Sequence, residues 1–261
     1  MSLELTPDAY VDIGDDQVFC QAQASATIVG WMLLDALTDR ALLSISINNG
    51  GIGDNRSRIS LEMDIGGQLI LYTRPIDGGA FTSLVTVAFP FSTGVRYHVA
   101  GVVDLANDFM AIYIDGVLVV SSTPAFTPTA WPNTTADSNA FGAFDKGDGN
   151  FVDGQMEDWR LYHRRLDPKE ITSIHGSDGP DTIRDTMHFR YLFDDPKPGP
   201  ETLGTAAAAD EIGTAALDQI GIAGAGVVCE VSDNKYVSTG IEPTGTLEYA
   251  PKLTRSLRRP A

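Results

Sequence analysis

Between Arg96 and Ser122 the chain reads RYHVAGVVDLANDFMAIYIDGVLVVSS, three alternating runs of β-branched and aromatic residues broken by two turns. The pair Asp115-Gly116, set between Ile112-Tyr113-Ile114 and Val117-Leu118-Val119, is a strong hairpin signal, because a two-residue type I′ turn needs positive φ at both positions. The other turn lies at Asp104 to Asp108. On the middle run Met110, Ile112 and Ile114 point one way and Ala111, Tyr113 and Asp115 the other, so one face is strongly apolar. A three-stranded antiparallel meander with such a face needs a second apolar layer, and that need selects an all-β sandwich.

The rest of the chain repeats the rhythm. Residues 9–20, AYVDIGDDQVFC, read as a strand, a turn at Gly14-Asp15-Asp16 and a second strand. Ala24 to Leu34 is a strand whose Trp31 is expected in the core, and Ala41 to Ile47 is another. The segment NNGGIGDN at 48–55 is a loop. Strands follow at Arg58–Ile65 and Gln68–Arg74, joined by Gly66-Gly67, and at Phe81–Phe89 after Asp77-Gly78-Gly79. Beyond the meander, residues 124–139 form a loop rich in Pro, Thr and Asn that holds Trp131. A short strand at 141–144, an acidic turn at 145–150 and a long strand at 151–162 come next. Asp167, Pro168 and Glu170 spell the N-cap, first position and capping-box acid of a two-turn helix ending near His175-Gly176. Strands recurring about every ten residues mark a sandwich or barrel rather than a parallel α/β sheet.

Four runs, YHVAGVVD, AIYIDGVLV, FGAFD and FVDGQMEDWRLYHRRLDPKEI, occur in an order and spacing that resemble the laminin-G-like branch of the concanavalin A-like lectin/glucanase superfamily. The resemblance spans roughly residues 9 to 175. It implies a two-sheet antiparallel jelly roll with one short helix. It implies little about function, since the architecture hosts lectins, glycan-binding modules, hydrolases and structural proteins. Many relatives begin with a strand of the type Tyr-x-Phe-Asp-Asp, which the N-terminus lacks, whereas HFRYLFDD occurs at 188–195. The expected organisation is therefore a jelly roll over 1–175, a segment over 176–250 that completes the sandwich, and a basic extended arm over 251–261. Residues 201–228, biased to Ala, Gly and Thr, are too poor in large apolar groups for a core of their own.

Charge narrows the partners. A formal net charge of −17 disfavours nucleic acid, whose phosphates most of the surface would repel. The last ten residues run against this balance, with Lys252, Arg255, Arg258 and Arg259 and no acid. A cationic arm on an anionic body suits contact with a neighbouring subunit, so these four are assembly candidates. No apolar run approaches the ~18 residues of a membrane helix, and MSLELTPDAY shows neither the basic nor the apolar region of an export signal, so membrane insertion is not expected. Cys20 and Cys229 fall outside metal-ligand spacing and read as buried free thiols, the alternative being a bridge that ties the first strand to the C-terminal region.

Asp145, Asp148, Asn150 and Asp153 place four hard oxygen donors within nine residues, a set that suits calcium by ligand type. It is not an EF-hand, since position twelve from Asp145 is Met156. No other cofactor is expected. By the resemblance, Glu157 and Asp158 stand where relatives carry an acidic pair, one of which helps hold a structural ion in laminarinase-type enzymes. Glycoside hydrolysis needs two carboxylates across the scissile bond. The E-x-D-x-x-E run that carries them in those enzymes is absent, and Glu62, Asp64, Asp104 and Asp115 do not reproduce its spacing, so no enzyme is expected. His98, His163, His175 and His188 are scattered, with His98 read as structural. Trp131 and Tyr72 are the candidates for stacking on a sugar ring, weighed against packing roles.

The expected function is that of a non-enzymatic virion structural protein, a capsid decoration or a head or tail appendage at the virion surface. It would act through homo-oligomerisation and contacts with other virion proteins, with adhesion to cell-surface glycans as a second capacity. That expectation rests on the resemblance of the RYLFDD region and the Y-x-P…RRP ending to laminin-G-like proteins encoded among phage structural genes. The alternative is a free, extracellular glycan-binding lectin. A glycoside hydrolase is the weakest reading.

Overall fold

Strands with an apolar face are buried by stacking, and the computed structural model shows two stacked antiparallel sheets. It describes residues 3–5, 9–13, 19–37, 40–46, 57–77, 79–86, 89–134, 136, 138–143, 151–177 and 181–191, and four strand segments at 219–222, 225–227, 229–232 and 235–238. The first sheet runs β1 (Leu3–Leu5), β12 (Gly154–Tyr162), β3 (Ser25–Leu34), β8 (Arg96–Asp104), β9 (Phe109–Ile114) and β10 (Val117–Ser122), with β13 (Met187–Tyr191) also on β12. The second runs β15 (Ala225–Val227), β14 (Gln219–Ile222), β2 (Ala9–Asp12), β11 (Ser138–Phe141), β4 (Arg40–Ser46), β5 (Ser57–Met63), β6 (Leu69–Thr73) and β7 (Thr82–Val85). A separate hairpin pairs β16 (Cys229–Ser232) with β17 (Lys235–Ser238).

The meander forms where the sequence places it. Asp115 and Gly116 take φ of +50° and +76°, as a type I′ turn requires, and Ile114 pairs with Val117 across it. Met110, Ile112 and Ile114 enter the core between the sheets, with Leu61 and Leu71 of the second sheet among its members. A Cβ on Gly101 would sit 2.7 Å from Leu71 Cδ1, so glycine there lets the two sheets approach. The other face of the meander is buried as well. Ala111 and Tyr113 join Val29, Ala100 and Val102 in a second apolar cluster beneath α1 (Pro168–Ser177), which contributes Ile171 and Ile174. Burying each isoleucine contributes roughly 1.5–3 kcal/mol.

The helix is fixed at its start by the predicted capping box. Asp167 Oδ1 accepts from the N–H groups of Lys169 (2.8 Å) and Glu170 (2.9 Å), and Glu170 Oε2 accepts from Asp167 N–H at 2.9 Å. Arg164 holds that glutamate in place through Nη1 at 2.7 Å and Nη2 at 2.6 Å.

Residues late in the chain complete both sheets. β1 pairs with the first half of β12 and β13 with the second half, so the two lie end to end along one edge. Phe189 and Tyr191 fill the core, and β14 adds to β2. Two sequence expectations need correction. Phe19 to Ala22 form a turn rather than a second strand, with Cys20 at φ +58° and Ala22 at +54°. Trp31 is buried, but on the face of the first sheet turned away from the core. Its place inside is taken by Trp159, whose ring lies where a Cβ on Gly30 would be, 2.6 Å from Cε2 and Cγ.

Candidate functional site

Carboxylates decide first whether this sandwich carries hydrolytic machinery, and the candidate acids are committed to local structure. Asp64 accepts from the N–H groups of Gly66 and Gln68 at 2.8 Å, closing the β5–β6 turn. Asp104 accepts from Asn107 N–H (3.2 Å) and Nδ2 (2.9 Å), closing the β8–β9 turn. Asp115 accepts from His98 N–H at 2.9 Å, and Glu62 accepts from the Ser60 hydroxyl. The Asp64, Asp104 and Asp115 bonds hold turns, and the Ser60–Glu62 bond runs along one face of β5.

The pair Glu157 and Asp158 is engaged by arginines. Asp158 sits at a break in the β12–β3 register with φ +48°. Arg160 Nε reaches its Oδ1 at 2.9 Å and Arg190 Nε at 2.6 Å, tying β12 to β13. Burial alone raises a carboxyl pKa, yet the hydrogen bonds and charges of the two guanidiniums hold Asp158 below its ordinary value. Arg160 also binds Asp181, which caps Ile183 N–H at 2.9 Å. Glu157 accepts from Arg96 Nη2 at 2.7 Å, and the same guanidinium lies 3.7 Å over the Trp31 ring. Asp158 thus faces cations on two sides as an ion-pair partner.

Of the calcium candidates, Asp145, Asp148 and Asn150 lie outside the described residues. Asp153 is half-buried, and its backbone carbonyl accepts from Asp35 N–H at 2.9 Å. Among the described residues no group of three or more His, Cys, Asp or Glu is arranged to hold a metal ion. Lys252, Arg255, Arg258 and Arg259 also lie outside the described residues.

The four histidines, scattered in sequence, come together as two pairs. His98 and His175 have ring centroids 5.5 Å apart beside Trp31, and His163 stacks on His188 at 4.4 Å and 21°. Burial, with a lesser push from His175, takes His98 down to about 3. Burial and His188 take His163 down to about 4, and burial takes His188 to about 4. Cys20 is a free buried thiol, pushed up to about 12 by burial against the opposing charge of Arg58.

The aromatic candidates separate. Trp131 is 2% exposed, and its indole N–H donates to the Arg58 carbonyl at 3.2 Å. It offers no face to a ligand. The reason is the fully buried Arg58, which binds Asp77 at 3.2 Å and the Thr134 carbonyl at 2.8 Å and draws the loop around Trp131 over the end of β5. Tyr72 is half-buried on the outer face of the second sheet, where the row Ser44, Ser60, Tyr72 and Ser83 alternates with the inward row Leu43, Leu61, Leu71 and Leu84. Beside it stands Phe81, 46% exposed, with ring centroids 5.7 Å apart and the Arg74 guanidinium 4.5 Å over the Phe81 ring. Sequence reading named Tyr72 and missed Phe81 and Arg74. The signal was available: Thr73 pairs with Thr82, so the residues just outside that pair, Arg74 and Phe81, flank one hairpin mouth.

No curated protein matches the chain. Among solved structures it is similar to a native heptameric SAP-like pentraxin from Limulus polyphemus, at 14% identity and a TM-score of 0.51 over 70% of this chain and 85% of that one. It is also similar to the CBM40 of the Ruminococcus gnavus IT-sialidase bound to α2,3-sialyllactose (18% identity, TM-score 0.51, 67% of this chain and 98% of that one). A third is a Bacteroides ovatus protein described as carbohydrate binding (16% identity, TM-score 0.53), where the match covers 92% of this chain but 60% of the other. At these identities the shared property is the sandwich itself. The family model of the concanavalin A-like lectin/glucanases superfamily matches residues 5–172, and the chain belongs to that superfamily, in its laminin-G branch.

Proposed function

We propose that this chain is a non-enzymatic, lectin-like protein that binds carbohydrate at the edge of its second sheet, on Tyr72 and Phe81 beside the buried Arg74. The observation that carries this reading is Phe81: a ring nearly half exposed, braced by a second aromatic and a guanidinium. An exposed aromatic face takes the C–H side of a sugar ring, and exposed Ser83 beside Tyr72 supplies a hydroxyl partner. The acids bound into turns and arginine pairs favour binding over hydrolysis. Two of the similar structures are described as carbohydrate binding or sugar-bound, which agrees with this reading.

A second reading, a virion structural component that assembles with other virion proteins at the particle surface, draws support from the exposed apolar side chains Val117 and Leu118 of β10. The two are compatible, since a particle-surface protein can also adhere to glycans. The test of the first is a glycan array probed with the full chain and with Phe81→Ala and Tyr72→Ala, alongside a reducing-sugar assay on every bound glycan. Binding that the two variants lose, without sugar release, supports the proposal. Release of reducing sugar, or binding unchanged in both variants, overturns it. The particle reading is checked by mass spectrometry of purified virions.

A further inference from the structure

Residues directly opposite across an antiparallel pair share a face, and on the outer face of the first sheet they set four side chains in a row. Glu157 on β12 pairs with Trp31 on β3, and Trp31 with His98 on β8. Asp115, just past β9, ends the row where its carboxylate accepts from His98 N–H at 2.9 Å. The helix α1 packs on this face and brings a third ring to it. Its His175, half-buried in the last turn, stands 5.5 Å from His98 and 5.4 Å from Trp31, centroid to centroid. His175 Nδ1 lies 3.3 Å from where a Cβ on Gly116 would be, and the Thr172 hydroxyl reaches the Gly116 carbonyl at 3.0 Å, so the helix is seated on the Asp115-Gly116 turn.

His98 is fully buried, and among the described residues neither of its ring nitrogens has a hydrogen-bond partner. An N–H against the Trp31 ring would satisfy one of them at most, and a buried polar atom left without a partner calls for an occupant beside it. The ring geometry says which. Two imidazoles that share one tetrahedral ion through bonds of ~2.0–2.1 Å hold their centres about 5–5.5 Å apart. His98 and His175 meet that spacing at 5.5 Å, with their planes 52° apart. His163 and His188 do not: at 4.4 Å and 21° they are stacked, and stacked rings keep their lone pairs parallel. The cations near His98 are matched already, Arg96 by Glu157 and Arg160 by Asp158 and Asp181, and Asp115 adds a carboxylate to the row.

We propose that His98 and His175 form a two-histidine site for a divalent transition ion of the zinc class, with Trp31 as one wall. Imidazole nitrogens suit zinc, copper and nickel, and Trp31 offers its π system to a cation. Among the described residues no third His, Cys, Asp or Glu is arranged to join them, so water or an outside ligand completes the shell. The ion clamps the last turn of α1 to the first sheet, and its binding energy adds to that of the fold.

Isothermal titration of the EDTA-treated full chain with zinc chloride at about pH 7.5, where ordinary imidazoles are neutral, tests the site. Zinc should bind, and excess calcium chloride should leave it bound, because calcium takes oxygen ligands. His98→Gln and His175→Ala should each weaken binding by about tenfold or more, and His163→Ala should leave it unchanged. Zinc should also raise the urea midpoint of the wild-type chain and not that of His175→Ala, since the ion binds only the folded pair. A wild-type chain that binds no zinc overturns the proposal, and so does binding that is unchanged in His175→Ala or weakened as much in His163→Ala. Where a variant fails to fold, the imidazole resonances of the wild type decide: zinc should shift those of His98 and His175, and a shift of neither overturns the site. No sugar enters the test, so its failure leaves the carbohydrate reading standing, and the reverse.

Discussion

Asp158 shows how one side chain can set a local structure. Two guanidiniums, from Arg160 and Arg190, converge on a carboxylate that is nearly out of solvent. Removing its charge leaves Arg160 with Asp181 and takes a carboxylate from Arg190, and breaking a buried ion pair from one side costs about 3–5 kcal/mol. Asp158→Asn is therefore expected to lower the free energy of urea unfolding by that amount. The sequence signalled an acidic pair at 157–158 but not Arg190, which reaches Asp158 only through the pairing of β12 with β13, nor Asp181, which meets Arg160 from beyond the strand. The histidines teach the same lesson: nothing in their spacing foretells two ring pairs. Their consequence is a pH dependence. An unfolded chain takes up protons near the ordinary imidazole value of 6.5, whereas folded His163 and His188 do so only near 4 and His98 near 3. The unfolded state binds more protons throughout that interval, so stability is full above pH 6.5 and falls as pH drops through 4 toward 3. Urea midpoints across that range should decline steadily, and a flat profile from pH 7 to 4.5 would contradict this linkage.

Hairpins and the helix were the most legible elements, because their signals are local. Asp115-Gly116 needed only positive φ at two successive positions, and the Asp167 capping box needed only neighbours within three residues. Gly116 is doubly constrained: its φ is +76°, and a Cβ would lie 3.2 Å from the Thr172 Cα of α1. Gly116→Ala should cost about 1–2 kcal/mol from the left-handed conformation alone. Thermal unfolding should show that loss. Less legible was the strand expected to end at Cys20. Its alternation is real, but Arg58 Nη1 takes the Phe19 carbonyl at 3.4 Å, and Ala22 N–H bonds the Pro132 carbonyl at 3.1 Å, so tertiary partners turn the chain there.

At the level of the whole molecule, alternation along each strand was enough to foresee two stacked sheets, and the unusual HFRYLFDD run was enough to foresee a late strand, which joins β12 as Met187–Tyr191. What alternation cannot show is which outward residues end up exposed. Tyr72, Phe81 and Trp131 are equal candidates as letters, and only the course of the loop pinned by Arg58 hides Trp131 and leaves Phe81 open. The proposed function therefore turns on that one patch. Titration calorimetry of the sugar selected by the array, run on the full chain, on Phe81→Ala and on Trp131→Phe, tests it most directly. Binding to the wild type, a loss of at least about tenfold in affinity for Phe81→Ala, equivalent to about 1.4 kcal/mol, and unchanged affinity for Trp131→Phe is the expected result. Equal affinity in the wild type and Phe81→Ala would place the sugar elsewhere on the sandwich and contradict the assignment.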